Sequence, residues 1–100
     1  MKINKKFKAS NGYIVAAEHT FTNSYATGGE AVTPDDVGLE VIEQIIPSPA
    51  SGYVFEYDAA NGKLKAYYAD YDAVADGAFI EVAEAVDLSS VTVQLMVIGY

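Results

Sequence analysis

Three groups of residues in this chain are of types that could do chemistry. His19 is the only histidine and follows Glu18, and a histidine beside a carboxylate can serve as a general acid and base when both reach one substrate. Asp70, Asp72 and Asp76-Gly77 form an acidic loop of the kind that can hold a hard cation such as calcium. Eight tyrosines occur in 100 residues, and Tyr67, Tyr68 and Tyr71 lie close together. Such rings line sugar sites and protein interfaces, or simply pack a thin sandwich, and spacing alone leaves these open.

Each group also has a plainer reading. Tyr13 to Thr22, YIVAAEHTFT, is rich in β-branched and aromatic residues and reads as a strand, although Ala16-Ala17-Glu18 would also suit a helix. On a strand, neighbouring side chains point to opposite faces, so Glu18 and His19 are badly placed to share a proton. His19 is then a structural histidine, at the surface or half-buried. The aspartate spacing misses the calcium loop of a helix–loop–helix site, and no bidentate glutamate follows at the right distance. A solvated acidic loop is expected there, with no metal and no other cofactor. Gly28-Gly29-Glu30 lacks the lysine and spacing of a phosphate loop and reads as a turn. With no Gly-x-Ser-x-Gly and no specific Ser-His-Asp set, a protein without enzymatic activity is expected.

Charge is unevenly distributed. Lys2, Lys5, Lys6 and Lys8 fall in the first nine residues with no acid among them. The fourteen acids come later against only Lys63 and Lys65, so residues 10–100 carry a net −12. A body this acidic repels phosphate backbones, which argues against nucleic acid as a partner. The basic stretch suits an acidic protein surface or solvent. There is no cysteine, hence no disulfide or thiolate site. No run approaches the ~18 apolar residues of a membrane span, and MKINKKFKAS is not followed by the apolar stretch of a secretory signal. No membrane partner is expected.

The elements that would position these residues are short. Residues 1–9 read as a basic N-terminal arm or a short edge strand, and residues 10–100 as one β-sandwich domain. Lysines and the Asn11-Gly12 turn fit an edge that resists uncontrolled pairing. Asn23 to Gly29 is a loop. Thr33-Pro34-Asp35-Asp36 has the N-cap, first-turn proline and acids of a helix start, which Gly38 stops after about one turn. Leu39 to Ile46 is ambiguous between strand and continued helix; Gly38 and four β-branched residues favour the strand, which Pro47-Ser48-Pro49 ends. Tyr53, Phe55 and Tyr57 alternate with polar positions, Asn61-Gly62 permits a reversal, and Lys63 to Tyr68 alternates again. This predicts a hairpin with Glu56 near the lysines. Phe79 to Ala83 reads as a short strand, and Val91 to Gly99, wholly apolar from Leu95, as a strand buried on both faces. About seven short strands, with at most one helical turn near residues 34–37, predict an all-β, jelly-roll-like β-sandwich.

Several pieces occur together in order: Tyr25-Ala-Thr-Gly-Gly-Glu30, Gly38-Leu39, the GYVFEYDAANGKLKAY hairpin, and Asp87-Leu-Ser-Ser-Val-Thr-Val-Gln-Leu-Met-Val-Ile-Gly99. Over residues 25–100 this series resembles small structural proteins of tailed bacteriophages, encoded among head genes as minor head or decoration proteins. The resemblance implies a non-enzymatic cement protein. It would sit on the outer capsid surface of the virion, bind the major capsid protein, and form homotrimers that stabilise the head against packaged DNA. On that reading the capsid and subunit contacts would run through Tyr25, Tyr67, Tyr68 and Tyr71, and through Lys2, Lys5, Lys6 and Lys8 of the basic arm. The arm lies outside the resemblance and could reach an acidic capsid face or a neighbouring subunit. No motif specific to capsid binding is present. A tail- or surface-located module recognising a carbohydrate or receptor, through Tyr67, Tyr68 and Tyr71, is the alternative.

Overall fold

Alternating apolar residues separated by turn signals produce eight strands in the computed structural model, which describes residues 1–69 and 78–100. They are β1 (Lys2–Ala9), β2 (Gly12–Thr20), β3 (Glu30–Ala31), β4 (Ile42–Pro47), β5 (Val54–Asp58), β6 (Lys63–Tyr68), β7 (Ile80–Glu81) and β8 (Thr92–Gly99). All pairings are antiparallel. One sheet has the order β1-β2-β8-β4, and the other the order β3-β6-β5, with β7 pairing β6. The result is a β-sandwich. Its one helical piece among the described residues is a 3-10 turn at Pro34–Val37, at the predicted position. The Asp36 carboxylate there accepts the Thr33 N–H at 2.8 Å.

The β5-β6 hairpin has the predicted register, with Glu56 directly opposite Lys65. Its reversal is fixed by Asn61, whose amide donates to the Asp58 carboxylate at 2.8 Å, and by Gly62 at φ 65°. That bond also holds the Asp58 carboxyl below its ordinary pKa. Tyr57 and Phe55 lie opposite the buried Leu64 and Ala66, so the aromatic face of β5 turns inward. Phe55 stacks on Phe21 with ring centroids 5.4 Å apart, which ties the hairpin to the chain leaving β2.

One open alternative is decided and three expectations change against the structure. Residues 2–9 pair with β2 from Lys2 opposite Glu18 to Ala9 opposite Gly12, so the edge strand, not the free arm, is the form adopted. The strand after Gly38 starts only at Ile42. Gly38 turns the chain at φ 70°, the Leu39 N–H donates back to Pro34, and the N–H groups of Glu40 and Val41 both donate to the Tyr100 carbonyl. The strand expected over residues 79–83 is two residues long, followed by a single bond from the Val82 N–H to the Ala66 carbonyl. Most important, β8 is buried on one face only. Val93, Leu95 and Val97 are core residues, whereas Met96 is 47% exposed. The second sheet covers one side of β8, and no layer among the described residues covers the other.

Candidate interaction surface

Residues directly opposite one another on neighbouring strands share a face of the sheet. Phe7, Ile14 and Ile98 therefore form one row across β1, β2 and β8. Ala16, Met96 and Ile46 form the next, across β2, β8 and β4. The core residues Val15, Ala17, Leu95 and Val97 alternate with them, so both rows lie on the outer face. Phe7, Ile46 and Met96 are each nearly half exposed. At a strand spacing of ~4.8 Å, this apolar patch runs about 14 Å across the four strands. Methionine at its centre is an adaptable contact residue, because its unbranched chain refits to different neighbours.

The lysines border this patch and divide between the two faces of β1. Lys2 and Lys5 are opposite Glu18 and Ala16 and share the outer face, where the Lys5 ammonium stands 5.0 Å from the Phe7 ring centroid. Lys6 and Lys8 are opposite Val15 and Tyr13 and take the other face. Lys6 is committed within the molecule, 4.1 Å from the Tyr13 ring centroid and donating to the Gly38 carbonyl at 3.1 Å. Glu18, on the outer face, accepts from the Asn4 amide at 3.2 Å. Its carboxyl is held below its ordinary pKa by hydrogen bonds from Gln94 and then Asn4, with the Lys2 charge adding.

The tyrosines do not gather into one site. Tyr25 is fully buried and offers a partner no surface, a correction to its expected interface role. Its hydroxyl donates to the Glu81 carboxylate at 2.6 Å and accepts the Ala66 N–H at 3.1 Å. It fills the gap along β6 between the pairings of β3 and β7. Burial, with the Glu81 bond next, pushes the Tyr25 pKa well up. Tyr67 and Tyr68 are consecutive on β6 and point to opposite faces. Tyr68 lines a cleft of about 450 Å³ with Tyr53, Ser51, Gly52 and Val82, while Tyr67 borders another with Val54, Glu56 and Phe79. Tyr71 and the acidic residues Asp70, Asp72 and Asp76-Gly77 lie outside the described residues.

His19 faces Glu30, not Glu18. Its Nε2 lies 2.9 Å from Glu30 Oε1, and Thr22 donates to the same carboxylate through its hydroxyl at 2.7 Å and its N–H at 3.0 Å. The pair joins β2 of one sheet to β3 of the other and is almost wholly removed from water. Such a satisfied polar cluster fixes how the sheets meet. Among the described residues, no three His, Cys, Asp or Glu side chains are grouped to hold a metal ion.

Sequence reasoning missed two features. Nothing local links positions 19 and 30, because the loop between them sets their distance. The apolar outer face left a signal, since Ile14, Ala16, Met96 and Ile98 interleave with core residues. In β8 the same signal fits a strand covered on both sides equally well. Comparison of the chain with protein-family models, curated proteins and solved structures finds no match.

Proposed function

We propose that this chain is a non-enzymatic structural protein of a bacteriophage virion that decorates the outer surface of the head. It would bind the major capsid protein and itself, as a homotrimer, and stabilise the shell. The observation that carries the reading is the open outer face of β1-β2-β8-β4, where Phe7, Ile14, Ile46 and Met96 form a contiguous apolar patch beside Lys2 and Lys5. Contiguous apolar surface on a small domain marks a protein contact, and a small sandwich gains stability by burying it in an assembly. The order of motifs over residues 25–100 supplies the phage head as the setting. A net charge of −8 keeps free copies soluble and away from packaged DNA.

The test is binding to expanded heads that lack this protein, followed by co-sedimentation. Met96→Glu is expected to weaken binding by about tenfold or more, since it places a charge at the centre of the contact. Unchanged binding would move the contact off this face, and no binding by the unaltered protein would overturn the capsid reading. The alternative, a tail- or surface-located module recognising a carbohydrate or receptor, is favoured by the Tyr53–Tyr68 cleft. It predicts glycan binding that Tyr68→Ala abolishes and Met96→Glu leaves intact.

A further inference from the structure

We propose that the free edge of β1 accepts an extended acidic segment of a partner protein as a fifth strand of the sheet. β1 is the outermost strand, and among the described residues only β2 bonds to its backbone. Among the described residues, alternate N–H and C=O groups along its far side are therefore open, the arrangement that strand addition requires. Pairing with β2 shifts between Ile3 and Lys5 but is regular from Lys5 to Ala9, which gives an added strand about five residues of flat edge.

Charge selects the occupant. All eight residues of β1 are exposed, four are lysines, and none is acidic. Lys2 and Lys5 lie on one face, and Lys8, beside the internally committed Lys6, on the other, so an acidic strand meets positive charge whichever face its carboxylates take. A second β1 is rejected. Antiparallel pairing centred on Lys5 sets Lys5 against Lys5 and Lys2 against Lys8, and a half-step shift sets Lys5 against Lys6; like charges directly opposite destabilise a ladder. The exposed Ile3 and Phe7 alternate with the lysines and match apolar side chains of a peptide better than a phosphate backbone.

This inference rests on the reading of the chain as a protein-binding assembly component, and its test separates the two. The probe is a ten-residue peptide alternating Glu and Val, added to the ¹⁵N-labelled full chain. Binding is expected to shift the β1 amides and slow exchange at those pointing away from β2. A peptide with Lys in place of Glu, and the acidic peptide N-methylated at every residue so that neither edge can donate, should each bind about tenfold more weakly or worse. Lys5→Glu with Lys8→Glu should keep the folded spectrum and reverse the preference towards the lysine peptide. Equal binding of the N-methylated peptide would reduce the site to a charge patch and overturn the added strand. Tighter binding of a ten-nucleotide oligothymidylate would overturn the peptide occupant. Outward β1 amides already protected in an oligomer would assign the edge to a second copy, and no binding of the acidic peptide would end the proposal. Head binding that survives Lys5→Glu with Lys8→Glu would reject the strand alone, whereas peptide binding without head binding would reject the capsid alone.

Discussion

The Tyr25 hydroxyl stands where the β6 ladder would otherwise lack a partner, between two strands that are each only two residues long. Tyr25→Phe leaves the Ala66 N–H and the Glu81 carboxylate each short of a bond and should cost about 1–3 kcal/mol, read as a lower urea midpoint with unchanged slope. The same residue sets alkaline behaviour. Its folded pKa is raised, so the unfolded chain releases this proton first, near pH ~10. The stabilisation is complete below that pH and declines above it, at up to about 1.4 kcal/mol per pH unit. Tyr25→Phe should show a shallower decline. Some slope will remain, because burial also raises Tyr57 and Tyr67.

Among the elements, those read correctly from the sequence are those whose information is local. The β5-β6 hairpin needs only alternation, an Asn-Gly reversal and the Glu56–Lys65 pair, all within fifteen residues of chain. The 3-10 turn needs only Thr33 before it, Pro34 at its first position and Gly38 after it. What was not legible depends on a distant layer: whether β8 is covered once or twice, whether Lys2–Ala9 finds a neighbour, and that Tyr25 lies inside. Gly29 shows how a short element can depend on one residue. It holds φ 103°, and an added Cβ would stand 2.6 Å from the Leu64 carbonyl oxygen, beside the Glu30–Leu64 pairing that starts β3. Gly29→Ala is expected to destabilise the fold by about 1–3 kcal/mol, measured by thermal unfolding. A Cβ added at Gly28 would meet no neighbour within 4 Å, so Gly28→Ala should carry only the cost of its positive φ and destabilise less.

At the scale of the whole molecule, the two proposed surfaces should respond to salt in opposite ways. Copies with net charge −8 repel one another, so self-association through the apolar outer face should strengthen between about 0.05 and 0.5 M salt as the Debye length shortens. Capture of an acidic strand by β1 should weaken over the same range. Light scattering for the first and peptide titration for the second read the two separately, against a monomer of 10.7 kDa. The position of β8 carries one more consequence. It lies between β2 and β4 and sets Gly99 against Tyr13, 86 positions earlier. During synthesis both hairpins can close as they emerge, yet among the described residues β2 and β4 have nothing to join them until β8 is made. Pairings this distant in sequence place folding in the slow range of milliseconds to seconds typical of non-local sheets. Until β8 has been made and paired, the inner faces of both hairpins stay open to other chains, the exposure that makes non-local sheets prone to aggregate while folding.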